Sequence, residues 1–210
     1  MIYDIHTHHF PSENGTAIVQ LTPHILTPSK ENYHSVGLHP WDIKEDWKTQ
    51  MAKVAVAALH PLVLMLGEAG LDKKNANASI ETQIEVFREH ITLSELLHKP
   101  LIIHCVKSID EVLSIRKETK TTRPWIIHGF RGGVKQWEQL TRAGLYVSIG
   151  KHYDAELIRH LSPQHLLLES DDSTELDAVY KSISDDTGLS VPELRDQVMR
   201  NILRLLGHEA

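Results

Sequence analysis

Short apolar runs alternate with helix-periodic stretches along nearly the whole chain. Eight runs read as strands: Ile2–His6, Ala17–Leu21, Tyr33–Leu38, Leu62–Gly67, Leu101–His104, Trp125–His128, Leu145–Ile149 and His165–Glu169. Several are continuously apolar, as strands buried on both faces of a parallel sheet are. Helical patterns fall between them over Asp46–Leu59, Ser79–Leu97, Ser108–Thr119, Gly133–Ala143 and Asp154–Leu161, with two more, Glu175–Ser184 and Pro192–Leu206, after the last strand. The final helix carries its own start signal, because Ser190 and Glu193 form a capping box around Pro192, and Gly207 provides a stop. Strands alternating with helices predict an α/β chain, a TIM (β/α)₈ barrel. The stretch Phe10–Asn32, with Pro11, Pro23 and Pro28, is too short for two crossover helices, so the barrel is expected to be distorted and trimmed in its first third. No repeat or Gly/Ser linker divides residues 1–210, which read as a single barrel domain.

Polar residues placed on that frame gather at one end of it. Asp4, His6 and His8 are spaced by two, which puts their side chains on one face of the first strand. Later strands run into His39, Glu68, His104, His128 and the group Glu169-Ser170-Asp171-Asp172. The C-terminal strand ends of a (β/α)₈ barrel converge on one mouth, so residues distant in sequence become neighbours there. His6, His8, Glu68, His104, His128 and Asp171 then form a shell of imidazoles and carboxylates suited to Zn, Mn, Mg, Fe or Ni. That shell is too large for one tetrahedral zinc. It suits two divalent metal ions roughly 3.5–4 Å apart that share a carboxylate and lower the pKa of a water from 15.7 toward about 7, an arrangement that serves hydrolysis.

Composition narrows the field further. The 22 Lys+Arg against 28 Asp+Glu give a formal charge of −6, which argues against gripping nucleic acid or an anionic membrane by bulk charge. A lone cysteine, Cys105, forms no internal disulfide, and the start of the chain has no basic-then-apolar leader, so a cytoplasmic protein with no membrane contact is expected. Cys105 alternates away from His104 and reads as a small packed hydrophobe. Among the 15 histidines, those without strand-end placement, including His34, His90, His24 and His208, read as surface residues. No protein partner is implied.

The motifs His6-Thr7-His8, Gly37-Leu38-His39-Pro40, Gly67-Glu68-Ala69-Gly70-Leu71-Asp72, Lys99-Pro100 leading to His104, His128-Gly129-Phe130-Arg131-Gly132 and Glu169-Ser170-Asp171 resemble the TatD family of metal-dependent deoxyribonucleases. The resemblance runs from residue 2 to the segment Asn201–Leu206. It implies a TIM barrel of the amidohydrolase type, with His6, His8 and Asp171 on one ion, His104 and His128 on the other, and Glu68 between them. Arg131 stands where the family usually has Ser, and Asp171-Asp172-Ser173 replaces a usual Asp-Ala-Pro.

The expected activity is cleavage of DNA phosphodiester bonds. Asp171 is the candidate ligand and general base, Glu68 is catalytic as the bridge, and His39, Lys107 and Arg131 are candidate substrate contacts. Lys107 and Arg131 read equally as solvated loop charges. Asp4 and Asp72 read either as groups that orient ligands or as structural carboxylates, and Glu169 as support for a ligand. Two alternatives accompany this reading: a hydrolase of a small ester, amide or phosphoester, and a metal-binding protein without catalysis.

Overall fold

The computed structural model describes residues 1–21 and 26–207. Its seven strands are β1 (Asp4–Thr7), β2 (Ala17–Leu21), β3 (Tyr33–Val36), β4 (Val63–Asp72), β5 (Leu101–Val106), β6 (Trp125–Ile127) and β7 (Leu145–Val147), and they form one parallel sheet in sequence order. The helices are α1 (Trp47–Ala57), α2 (Ile80–Leu97), α3 (Ile109–Thr119), α4 (Val134–Arg142), α5 (Ala155–His160), α6 (Leu176–Thr187) and α7 (Val191–Leu205). No helix separates β1 from β2, nor β2 from β3 among the described residues, as the short proline-bearing stretch predicts. None of the described helices is long and apolar enough to cross a membrane.

The eighth expected strand is a correction. His165 belongs to a short 3₁₀ turn, Pro163–His165, and the chain after it makes only single bridges. Those bridges still close the barrel: Ile149 pairs with Leu168 and Thr7 with Asp171, while Ile5 N donates to Leu168 O at 3.0 Å and Asp171 N to His6 O at 3.1 Å. A proline at the start and polar residues at the end of this segment leave too few apolar positions for a regular strand, but enough backbone to join β7 to β1.

The core explains why the motifs read as they do. Trp125, Tyr180 and Phe87 are fully buried, and Phe87 meets Trp125 edge-on with centroids 5.4 Å apart. Lys99 donates from Nζ to Ala58 O and Val63 O at 2.5 and 2.6 Å, tying the end of α1 and the start of β4 to β5. Ser190 caps α7 through the expected box, its N–H donating to Glu193 Oε2 at 2.8 Å.

Two glycines in β4 are steric necessities. Gly67 (φ +115) and Gly70 (φ +144) lie against β5, where a Cβ would meet Ile102 O at 2.2 Å and His104 O at 2.1 Å. Between them the register shifts, since Leu66 pairs with Leu101 and Ala69 with Ile103, so three steps on β4 match two on β5. Such a bulge re-aims a side chain, here that of Glu68. Gly70→Ala should therefore destabilise the protein by more than about 4 kcal/mol, lowering the thermal midpoint by roughly 10 °C or more in a calorimetric scan. A midpoint within a degree or two of the parent would show that the strands can part at no cost.

Two histidines assigned to the surface are buried instead. His34 is 0% exposed, with Nδ1 3.1 Å from Val19 O and Nε2 accepting from Ser29 N. His90 is also 0% exposed; Nδ1 donates to Val86 O at 2.8 Å and Nε2 accepts from Leu38 N at 2.9 Å. His24 and His208 lie outside the described residues.

Burial pushes the His90 imidazole down to about 4. The unfolded chain thus binds more protons than the folded one between pH 6.5 and 4, and stability should fall across that window on acidification, by on the order of 3 kcal/mol in all. Denaturant midpoints measured at several pH values should show this slope in the parent and a smaller one in His90→Leu, where His39 still contributes.

Candidate metal centre

The carboxyl ends of the strands open into a cavity of about 970 Å³ lined by His8, His39, Glu68, His104, His128 and Asp171, among others. Glu68 sits at its centre, delivered by the β4 bulge and 3% exposed. Its backbone N–H donates to Gln20 Oε1 at 2.8 Å, and that oxygen also accepts from Ser35 Oγ at 2.7 Å. The two carboxylate oxygens face different imidazoles. Oε2 lies 2.9 Å from His8 Nε2 and 3.4 Å from His6 Nε2, whereas Oε1 lies 2.7 Å from His128 Nε2, 3.5 Å from His104 Nδ1 and 3.7 Å from His39 Nε2. Asp171 joins the first set, its Oδ1 3.6 Å from His6 Nε2 and 3.8 Å from His8 Nε2.

All six expected shell residues are therefore brought together. Ligand atoms of His6, His8 and Glu68 lie within 4.8 Å of one another, as do those of His6, His128 and Asp171, and those of His39, Glu68 and His104. Asp4 departs from the expected face-sharing with His6 and His8. Its oxygens accept from Ser170 N (3.1 Å), Ser170 Oγ (2.7 Å) and His6 N (3.3 Å), so it fastens the closing segment to β1. Burial raises the Asp4 carboxyl to about 7 against those donors.

The imidazoles are oriented from behind. His104 Nε2 lies 3.2 Å from Asp72 Oδ2, and His128 Nδ1 lies 3.6 Å from Glu169 Oε1. Glu169 is fully buried and is itself held by Gly129 N–H at 2.6 Å and by the Ser148 hydroxyl. A carboxylate behind a histidine fixes the ring and its tautomer, as in ligated metal sites.

The electrostatics match this arrangement. Burial opposes ionisation of Glu68, but His128 and His6 overcome it and hold the carboxyl well below the usual range. Burial likewise disfavours charge on His6, yet Glu68 raises it to about 9, and His128 also rises well above its ordinary value. Asp171, opposed by burial, is held down by His6 and His128. His6 has 0% exposure, and neither ring nitrogen makes a hydrogen bond of good geometry; nor does His128 Nδ1. Buried polar atoms normally find partners. Unpartnered imidazole nitrogens facing ionised carboxylates are a donor set that fits a divalent cation.

His39 lines the same cavity, its Nε2 3.7 Å from Glu68 Oε1. Burial pushes it down to about 4 despite Glu68, and its Nδ1 accepts from Trp41 N at 3.1 Å, leaving Nε2 as the N–H side. Lys107 and Arg131 line the same cavity. Cys105 also lines it, half-buried with Sγ 3.6 Å from Ser108 Oγ, and burial raises its thiol. Sequence reasoning passed over Gln20, Ser148 and Trp41. Gln20 was the findable one, as a polar residue inside the apolar strand Ala17–Leu21.

Comparison with known proteins agrees with this picture. The sequence model for "TatD related DNase" matches residues 12–207. An uncharacterized metal-dependent hydrolase of Buchnera aphidicola is 28% identical over 193 residues, covering 81% of this chain and 72% of the relative. The 3'-5' ssDNA/RNA exonuclease TatD of Citrobacter rodentium is 27% identical over 176 residues, covering 79% of this chain and 64% of its own length. For the uncharacterized metal-dependent hydrolase YabD of Bacillus subtilis, 27% identical, the match spans 66% of this chain and 58% of the relative. The crystal structure of the Escherichia coli TatD homologue YjjV superimposes with a TM-score of 0.80 at 19% identity, covering 98% of this chain and 97% of that one. A dihydroorotase superimposes at 0.60 with 14% identity, covering 99% and 70%.

Proposed function

Because the chain belongs to the TatD-related DNase family, we propose that it is a metal-dependent hydrolase that cleaves phosphodiester bonds in DNA. One observation carries the reading: the two oxygens of a buried Glu68 each face a separate set of imidazoles, one set including a fully buried His6 with no hydrogen-bond partner. His6, His8 and Asp171 would hold one divalent ion, His104 and His128 a second, with Glu68 shared. Bound cations supply Lewis acidity at the phosphoryl oxygen and bring the pKa of water toward about 7.

The remaining work falls to side chains of this protein. Asp171, ionised at neutral pH, accepts the proton of the attacking water as the new P–O bond forms. It returns that proton to the leaving alkoxide as the old P–O bond breaks. His39 enters as a neutral hydrogen-bond donor through Nε2–H to a phosphate oxygen, since its depressed pKa precludes a positive charge. Lys107 and Arg131 place positive charge on the cavity wall against the chain's net −6. Asp72 and Glu169 keep His104 and His128 turned toward Glu68.

The test is reconstitution. Chelator-stripped protein, reloaded separately with Zn, Mn, Mg, Fe or Ni, is assayed on oligonucleotides and on small chromogenic phosphoesters, carboxylic esters and amides, with elemental analysis of the loaded protein. Two equivalents of metal and metal-dependent phosphodiester cleavage are expected. Turnover of esters or amides with no phosphodiester cleavage would overturn the proposal in favour of small-substrate hydrolysis. Loading without any turnover would indicate a binding protein.

A further inference from the structure

Trp41 takes no part in the chemistry above, yet it is held with unusual care for a surface aromatic. It sits in the 3₁₀ turn Pro40–Asp42, lines the cavity, and is 52% exposed. Its indole Nε1–H donates to Asp72 Oδ2 at 2.7 Å. Asp72 is itself 1% exposed, and the same oxygen lies 3.2 Å from His104 Nε2. The ring is thus fixed by one edge to a buried carboxylate one residue removed from the metal cluster. His39 and His104 meet it at steep angles, 86° and 73°, with centroids 4.9 and 5.8 Å away. No aromatic ring lies parallel on an indole face among the described residues.

We infer that Trp41 is a stacking platform for a nucleobase next to the scissile phosphate, so that part of the affinity of this site for its substrate comes from a base and not from the backbone alone. This rests on the phosphodiesterase reading above. An immobilised indole offers a base its π-face at little entropic cost, and such contacts tolerate any sequence because every base has a face to offer. The backbone phosphates would be met by Lys74, Lys107 and Arg131, which line the cavity and pair with no carboxylate among the described residues. Phe10 is also exposed, at 66%, but nothing described fixes its ring in the cavity wall.

The experiment compares, for the metal-loaded protein, the affinity for a nuclease-resistant phosphorothioate oligothymidylate with that for an abasic backbone of equal length and charge, by fluorescence anisotropy. Stacking of one base predicts a preference for the base-bearing strand of roughly 5- to 150-fold. Trp41→Leu should bring that ratio close to one, whereas Trp41→Phe, which keeps a ring and loses the N–H, should retain most of it, and Phe10→Leu should leave it unchanged. Equal affinities in the parent, a ratio that survives Trp41→Leu, or an equal loss in Trp41→Phe would each overturn the proposal. Because the ratio is taken within each variant, a change in catalytic rate does not disturb it. Hydrolysis of a small chromogenic phosphodiester by the parent is followed in parallel. If that persists while the ratio fails, only the platform falls; if it is absent, the phosphodiesterase reading falls, and the binding ratio still judges Trp41.

Discussion

Glu68→Gln should fold, fail to hold its full complement of metal, and lose phosphodiester hydrolysis by at least about 1,000-fold. The substitution conserves shape and removes only the charge. That charge is the single feature common to both sets of imidazoles, with oxygens 2.9 Å from His8 and 2.7 Å from His128. A neutral amide cannot bridge two cations, and its NH₂ would point a donor at one of them. The change also has a signature in the metal-free protein. Burial alone disfavours a proton on His6, and Glu68, with help from Asp171, reverses this and raises it to about 9. In Glu68→Gln, NMR titration should show the His6 pKa lowered relative to the parent. Normal metal stoichiometry together with normal turnover would remove Glu68 from the centre of the site.

Asp171→Asn should separate binding from chemistry. Asp171 lies in the left-handed region, φ +55, which asparagine also tolerates, so the backbone that closes the barrel should persist. The amide oxygen can still coordinate, and most of the metal should remain. What disappears is the proton acceptor, and turnover should fall by about 100- to 10,000-fold with KM little changed. Glu169 and Asp172 are the neighbours that could contest this role. Glu169 is fully buried and already engaged by Gly129 and Ser148, which removes it from contention as a base. If Asp172→Asn carried the loss and Asp171→Asn did not, the assignment would have to move one residue along.

The parts of this molecule legible in its sequence are those where one physical signal dominates. Apolar runs such as Leu101–Ile103 and Trp125–Ile127 can only be buried strands, and a ligand-type residue at the end of each is conspicuous because burial of an unpaired charge is so costly. That His6, His8, Glu68, His104, His128 and Asp171 gather in one place was accordingly legible. The failures involve partners far away in the chain. His90 looks like a polar residue on a helix; Val86 O takes one ring nitrogen locally, but the partner of the other, the Leu38 N–H, lies 52 residues away. His34 is the same case on a strand. The last strand failed differently: its backbone is used to bridge two edges, and pairing of that kind leaves no periodic trace. Asp72 stayed ambiguous because one carboxylate serves two roles, turn anchor for Lys74 and Asn75 and support for His104.

The seam between β1 and the closing segment has a consequence for when this protein becomes active. Ser170 is tied to Asp4 across 166 positions, and the ring is complete only when that stretch has docked. A ribosome-bound chain that has not yet exposed residue 171 lacks both the closing wall of the pocket and the Asp171 carboxylate. Cation capture should therefore come late in biosynthesis, once the whole ring of strands has been made.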